Sequence, residues 1–241
     1  MSLLDHPIQT EKHGSTTVLR DDLIEGGSKM RFLPELCRGA GELVFGGPFC
    51  GGAPVALSVI GRITATPVTL FYASRKKLHR RQAQAERNGA RIELVSPGYM
   101  TVVQKRARDY AERTGARFLP LGFDRPEAEA PFVGFMDKLR REIGSPEEVW
   151  CASGSGMLAR CLAKGFPSSR ICAVAVGLKS RWSRQAMPPN VTVYQYPRDF
   201  AWELRGSTAP FPICGYYEAK AWALYEKIGA RRALFWNVLG R

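Results

Sequence analysis

The chain has 241 residues, 45% hydrophobic and 24% charged, enough to bury a good core as one large domain or two smaller ones. No run is long and apolar enough to span a bilayer, and Met1 to Gly14 holds no apolar stretch of signal-peptide type, so a cytosolic protein without a membrane partner is expected. Thirty-five Lys and Arg against 22 Asp and Glu give a net charge of +13 and a pI near 9.8, more than an enzyme of small free amino acids needs. Such an excess concentrates polyanions, nucleic acid above all; a basic proteome or a solubility effect is the competing explanation. Cys37, Cys50, Cys151, Cys161, Cys172 and Cys214 show no zinc or redox spacing, so no metal and no disulfide framework is expected.

Strands and helices alternate along the chain. Val18–Arg20 reads as a short strand, Leu36–Arg38 as the end of a short helix and Glu42–Phe45 as a strand. The turn Gly46-Gly47-Pro48-Phe49-Cys50-Gly51-Gly52 leads into a helix over Ala53–Ile60. Val68–Ala73 is a strand with a β-branched and aromatic face, Arg75–Asn88 a helix stopped by Gly89, and Arg91–Val95 a strand. Tyr99–Thr114 is a helix stopped by Gly115, and Arg117–Leu121 a strand. Residues 122–131, rich in proline and acid, read as a connector before a helix over Phe132–Ile143. The remainder reads as strands over Glu148–Ala152, Ile171–Leu178, Val191–Tyr196 and Ala233–Trp236, with helices over Gly156–Lys164 and Tyr216–Ile228. This order predicts an α/β protein with parallel sheets covered by helices on both faces.

Two segments carry candidate chemistry. Lys29 lies in Leu19-Arg20-Asp21-Asp22-Leu23-Ile24-Glu25-Gly26-Gly27-Ser28-Lys29-Met30-Arg31, a glycine-flanked turn after a strand. Glycines admit a flat ring close to the backbone, and a desolvated lysine loses its proton and becomes a nucleophile; a solvated loop lysine is the alternative. Cys151-Ala152-Ser153-Gly154-Ser155-Gly156-Met157 follows a strand and opens a helix, whose free amides suit a phosphate. A βα turn with an N-cap serine is the alternative there.

The Arg20–Arg31 run resembles the cofactor-lysine segment of pyridoxal-phosphate (PLP) enzymes of fold type II, the tryptophan-synthase-β-like group, with aminocyclopropane-carboxylate (ACC) deaminase and D-cysteine desulfhydrase as near relatives. Three further segments match that group in order. The resemblance implies that Lys29 carries PLP and that Ser153, Gly154, Ser155 and Gly156 hold its phosphate. Pro212-Ile213-Cys214-Gly215-Tyr216-Tyr217-Glu218-Ala219-Lys220-Ala221 is similar to the segment where a tyrosine neighbours the ring and a glutamate meets its nitrogen, here Tyr217 and Glu218. Leu234–Gly240 resembles the terminal segment, with Val238 in place of a threonine that elsewhere contacts the ring nitrogen. Gly46–Ala53 aligns with a segment whose serine and asparagine bind the substrate carboxylate and the ring hydroxyl. Cys50, Gly51 and Gly52 stand there instead, which removes side-chain hydrogen bonds and predicts added space. The family's architecture implies a larger domain from residues 1–45 and 123–241, a smaller one from 46–122, the cofactor between them, and a homodimer.

Basic clusters complete the reading. Lys76, Lys77, Arg80 and Arg81 open one predicted helix, Arg106, Arg108, Arg113 and Arg117 follow, and Lys179, Arg181 and Arg184 flank Trp182. A single charge run is usually a solvated face, but several on one small domain suggest phosphate-backbone contacts. Three function classes follow. The first is a PLP enzyme decarboxylating an amino acid attached to a thymine base in DNA, as in the hypermodified thymines of some bacteriophages. The second is a deaminase or desulfhydrase-type lyase of a small free amino acid. The third is a non-catalytic, nucleic-acid-binding relic of the fold, against which the retained Lys29 argues.

Overall fold

A computed structural model describes residues 6–96, 98–123, 126–176, 187–230 and 232–240. Among the described residues ten strands form two sheets. The larger takes β1 (Thr10–His13), β2 (Thr16–Arg20), β7 (Glu148–Ser153), β8 (Arg170–Ala175), β9 (Val191–Gln195) and β10 (Ala233–Asn237), in the order β1-β2-β10-β7-β8-β9. Only β1 pairs antiparallel; the other pairings are parallel. The smaller sheet is parallel throughout and runs β5 (Arg91–Val95), β4 (Val68–Ala73), β3 (Leu43–Gly46), β6 (Arg117–Leu119). Its first strand thus starts just ahead of residue 46.

Alternation along each strand explains the layers. In β10, Leu234 and Trp236 join the main core, while Ala233 and Phe235 face the other way with Trp222 and Tyr225 of α7 (Glu218–Ile228). Strand β7 divides likewise, with Val149 and Cys151 on one side and Trp150 and Ala152 on the other. Both faces are therefore buried, as a parallel sheet requires. In the smaller sheet Val44, Phe71 and Val95 pack with Val103, Ala107 and Ala111 of α4 (Met100–Thr114), whereas Leu43, Phe45, Leu70 and Tyr72 face the main core shared with α2 (Ala53–Thr64).

Some expected elements shift. The helix expected from Arg75 is α3 (Arg80–Arg87), because His79 caps it: its ring accepts from the Arg81 amide, and the Gln82 side chain returns to the His79 amide. The expected connector is largely helix. Following α1 (Leu33–Cys37), α5 spans Pro126–Ile143 with Pro131 inside it. Glu127 and Glu129 suit a helix N-terminus, and Ala128, Phe132, Met136 and Leu139 form a buried stripe whose packing outweighs the missing proline amide. Helix α6 is Met157–Gly165. Strand β1 has no counterpart among the expected elements; its alternating half-buried pattern is weak.

Candidate active site

A cavity of about 490 Å³ opens at the carboxyl ends of β3, β7 and β10, where both sheets contribute lining. Carboxyl ends of parallel strands are where such folds place ligands. Lys29, Gly51, Gly52, Ser153, Gly154, Ser155, Tyr217 and Glu218 all line it.

The Lys29 loop is held by its own motif. Two 3-10 turns, Asp21–Leu23 and Gly27–Arg31, follow β2. Arg31 is buried and donates to the buried Asp21 carboxylate at 2.6 and 2.9 Å, and its guanidinium lies 3.8 Å from the Phe135 ring centroid. The Trp236 indole N–H donates to Ser28 Oγ at 2.8 Å and to Asp21 at 3.2 Å, fixing the loop to β10. Gly26 and Gly27 adopt φ of 98° and 70°; a Cβ on Gly27 would lie 2.3 Å from the Val238 carbonyl oxygen. The RDDL and GGSKMR patterns are therefore a clamp that presents Lys29 to the cavity.

Burial first, and then the Arg81 charge, push the Lys29 amine below its ordinary value, while Glu218 and Cys214 act the other way. Glu218 is 1% exposed, and its carboxyl is pushed up to about 8, chiefly by burial, with its own backbone N–H, Arg81 and Lys29 opposing. Its Oε2 has no hydrogen-bond partner. Tyr217 caps α7 and packs edge-on against Phe200 at 5.2 Å.

At the 153–156 turn, Gly156 has φ 90° and stands at the N-cap of α6 but does not line the cavity. The first α6 amides have no intrahelical acceptor. A Cβ on Gly154 would meet only Tyr217 Cε1, at 3.8 Å, so the space before the turn is open.

Several expectations change. The Cys50 side chain does not line the cavity: it is buried with Cys214 and Tyr216, and burial pushes its thiol up to about 12. Its carbonyl instead accepts from Arg81 at 2.6 Å. The space expected at Gly52 is taken in part by Leu239, whose Cδ2 would stand 2.6 Å from an added Cβ. Arg81 is not a surface cation. It is 4% exposed, and it also donates to Cys214 Sγ at 3.0 Å and the Gly240 carbonyl at 3.2 Å. A charge run read in sequence does not reveal which member the helix turns inward. Lys76, Lys77 and Arg80 are exposed, whereas Lys179, Arg181, Arg184 and Trp182 lie outside the described residues. Asp199, Phe200 and Ala201 also line the cavity. They carry no periodic or motif signal; the buried Lys220 holds them by donating to the Asp199 and Phe200 carbonyls at 3.2 Å.

No family model matches the sequence, and no curated protein matches it. Solved structures do. An ACC deaminase homologue superposes with TM-score 0.82 at 17% identity, over 99% of this chain and 91% of that one. The processed form of threonine deaminase isoform 2 from Solanum lycopersicum gives 0.70 at 12% identity, over 98% and 79%. A hydrogen sulfide-producing enzyme from Fusobacterium nucleatum gives 0.68 at 11% identity, over 93% and 81%. The chain has their fold. The expected fold type II architecture, α/β with parallel sheets, is borne out.

Proposed function

We propose that the chain is a PLP-dependent lyase acting on an α-amino-acid group, and that its reaction is decarboxylation of an amino acid attached to a thymine base in DNA. The convergence of Lys29, Glu218 and the 153–156 turn on one cavity carries the first part. The donor set fits the cofactor. Lys29, with its lowered pKa, would hold the aldehyde; the buried Glu218 oxygen without a partner would take the ring nitrogen; and the open space before Gly154 admits a phosphate to the α6 amides. When bound, PLP supplies an electron sink for a bond broken at the amino-bearing carbon. Glu218 would keep a proton at the ring nitrogen, and Lys29 or Tyr217 would be placed to return a proton to the carbon after carboxylate loss. The fold shared with enzymes named threonine deaminase and hydrogen sulfide-producing enzyme supports the lyase class. We also expect a homodimer, with the domain division at residues 46 and 122.

The decarboxylation reading rests on what lines the cavity. Lys29 is the only cation among the described lining residues, and Phe32, Phe45, Phe123 and Phe132 form much of the wall. With no serine or asparagine at Gly51 and Gly52, no side chain there grips a carboxylate. A carboxylate set against an apolar wall loses hydration, which favours its departure as carbon dioxide. The net charge of +13 supports a polyanionic substrate. The similarity to deaminase structures favours a second reading, elimination from a small free amino acid, in which Lys29 removes the Cα proton.

Product mass spectrometry on DNA bearing an amino-acid-modified thymine, and on free amino acids, separates the two. DNA turnover should fall steeply with salt, because Lys and Arg displace condensed counterions. Replacing Lys76, Lys77 and Arg80 together should reduce it alike across sequences, with cofactor content unchanged. Turnover confined to free amino acids would end the DNA reading.

A further inference from the structure

Two aromatic side chains stand out on the described surface: Tyr99 is 73% exposed and Trp202 is 42% exposed. They are the only aromatics among its exposed large hydrophobic residues. Both adjoin the cavity wall. Tyr99 precedes Met100 and Trp202 follows Ala201, and Met100 and Ala201 line the cavity. Large apolar surface placed beside a cavity mouth marks a binding partner more often than scattered exposure does.

Cations accompany these rings. The Arg198 guanidinium lies 5.8 Å from the Trp202 centroid, and Tyr196 stacks on Trp202 at 6.3 Å and 23°. The Trp202 loop is pinned to the segment before α7, the Leu204 amide donating to the Gly215 carbonyl at 2.9 Å. Next in the chain, Tyr216 packs edge-on against Phe49 and His79, and Arg75 lies over the Phe49 ring at 4.3 Å. The Trp202 loop and the exposed run Arg75, Lys76, Lys77 and Arg80 thus share one rim. Residues 46–122, which supply most of that rim's charge, contain thirteen Lys and Arg against four Asp and Glu.

We propose that this rim seats single-stranded nucleic acid, with phosphates along Arg75, Lys76, Lys77 and Arg80 and the bases flanking the reacting nucleotide stacked on Trp202 and Tyr99. The inference rests on the DNA reading above and names the form in which DNA is taken. A group appended to a base reaches Lys29 at the cavity wall only if its nucleotide leaves the duplex stack, and an unstacked strand is what offers ring faces to aromatic side chains. Charge argues for this occupant over a second copy of the chain. The interface core between copies is depleted of charge, whereas this rim interleaves rings with the exposed cations Arg75, Lys76, Lys77 and Arg80.

The test uses unmodified oligonucleotides and the full-length protein, so it needs neither turnover nor a modified base. Fluorescence anisotropy should show tighter binding to a single strand than to a duplex of equal length. Trp202→Ala and Tyr99→Ala should each weaken single-strand binding about tenfold, with Trp202→Phe retaining most of it. The salt slope should stay unchanged in all three, because stacking neutralises no phosphate. Equal or tighter duplex binding would overturn the proposal. So would indifference of single-strand binding to Trp202→Ala and Tyr99→Ala, with or without a change of oligomeric state by light scattering. Cofactor content, read in the same samples, distinguishes failure of this proposal from failure of the lyase reading. A PLP-loaded protein indifferent to single strands fails only this inference; single-strand binding without cofactor fails only the other.

Discussion

Glu218 concentrates the energetics of the site in one carboxyl group. In the unfolded chain it ionises near 4.5, whereas burial in the fold pushes it up to about 8. Between those values the folded state binds the extra proton, so this contribution to stability is full below pH 4.5 and is lost as pH rises through about 8. Cofactor-free protein should therefore lose stability between those limits, by an amount on the order of a few kcal/mol. Glu218→Gln should flatten that part of the profile. Denaturation across the pH range checks this, and a profile unchanged in the variant would contradict the placement. Arg81 belongs at the same scale. Its three acceptors join α3 to the glycine-rich turn, to the segment before α7 and to the C-terminal segment, so its loss acts on the fold around the cavity rather than on surface charge.

Two elements present the chemistry, the clamp around Lys29 and the turn before α6. The buried Asp21–Arg31 pair resists disruption, since removing one partner of such a pair costs roughly 3–5 kcal/mol. The turn is more delicate. Gly154→Leu should leave folding intact, because nothing but Tyr217 approaches its Cβ position, yet should weaken PLP retention by filling the phosphate space. Equilibrium dialysis and thermal melts separate the two effects, and equal cofactor affinity would make the turn purely structural. Both elements are legible in sequence because glycine spacing and strand–turn–helix order are local signals. The start of α3 is not, since a histidine N-cap is unusual and the basic run hides it. The start of α5 resembles a loop because prolines and acids signal one locally, while its buried stripe becomes decisive only against the core. The inward turn of Arg81, the intrusion of Leu239 and the 199–201 wall depend on contacts far apart in the chain, which no local pattern encodes.

At the scale of the whole molecule, two sheets, parallel except for β1, set the carboxyl ends of their central strands around one cavity, and the basic excess falls heavily on residues 46–122, which build most of the smaller sheet. The catalytic proposal and the nucleic-acid proposal meet there, and the catalytic one depends on Lys29 holding the cofactor. Purified protein incubated with PLP and reduced with borohydride should carry one stable pyridoxyl modification, mapped to the peptide bearing Lys29. Before reduction it should be yellow, and Lys29→Ala should lack both the colour and the modification. An unmodified Lys29, or an unchanged cofactor spectrum in Lys29→Ala, would contradict the account.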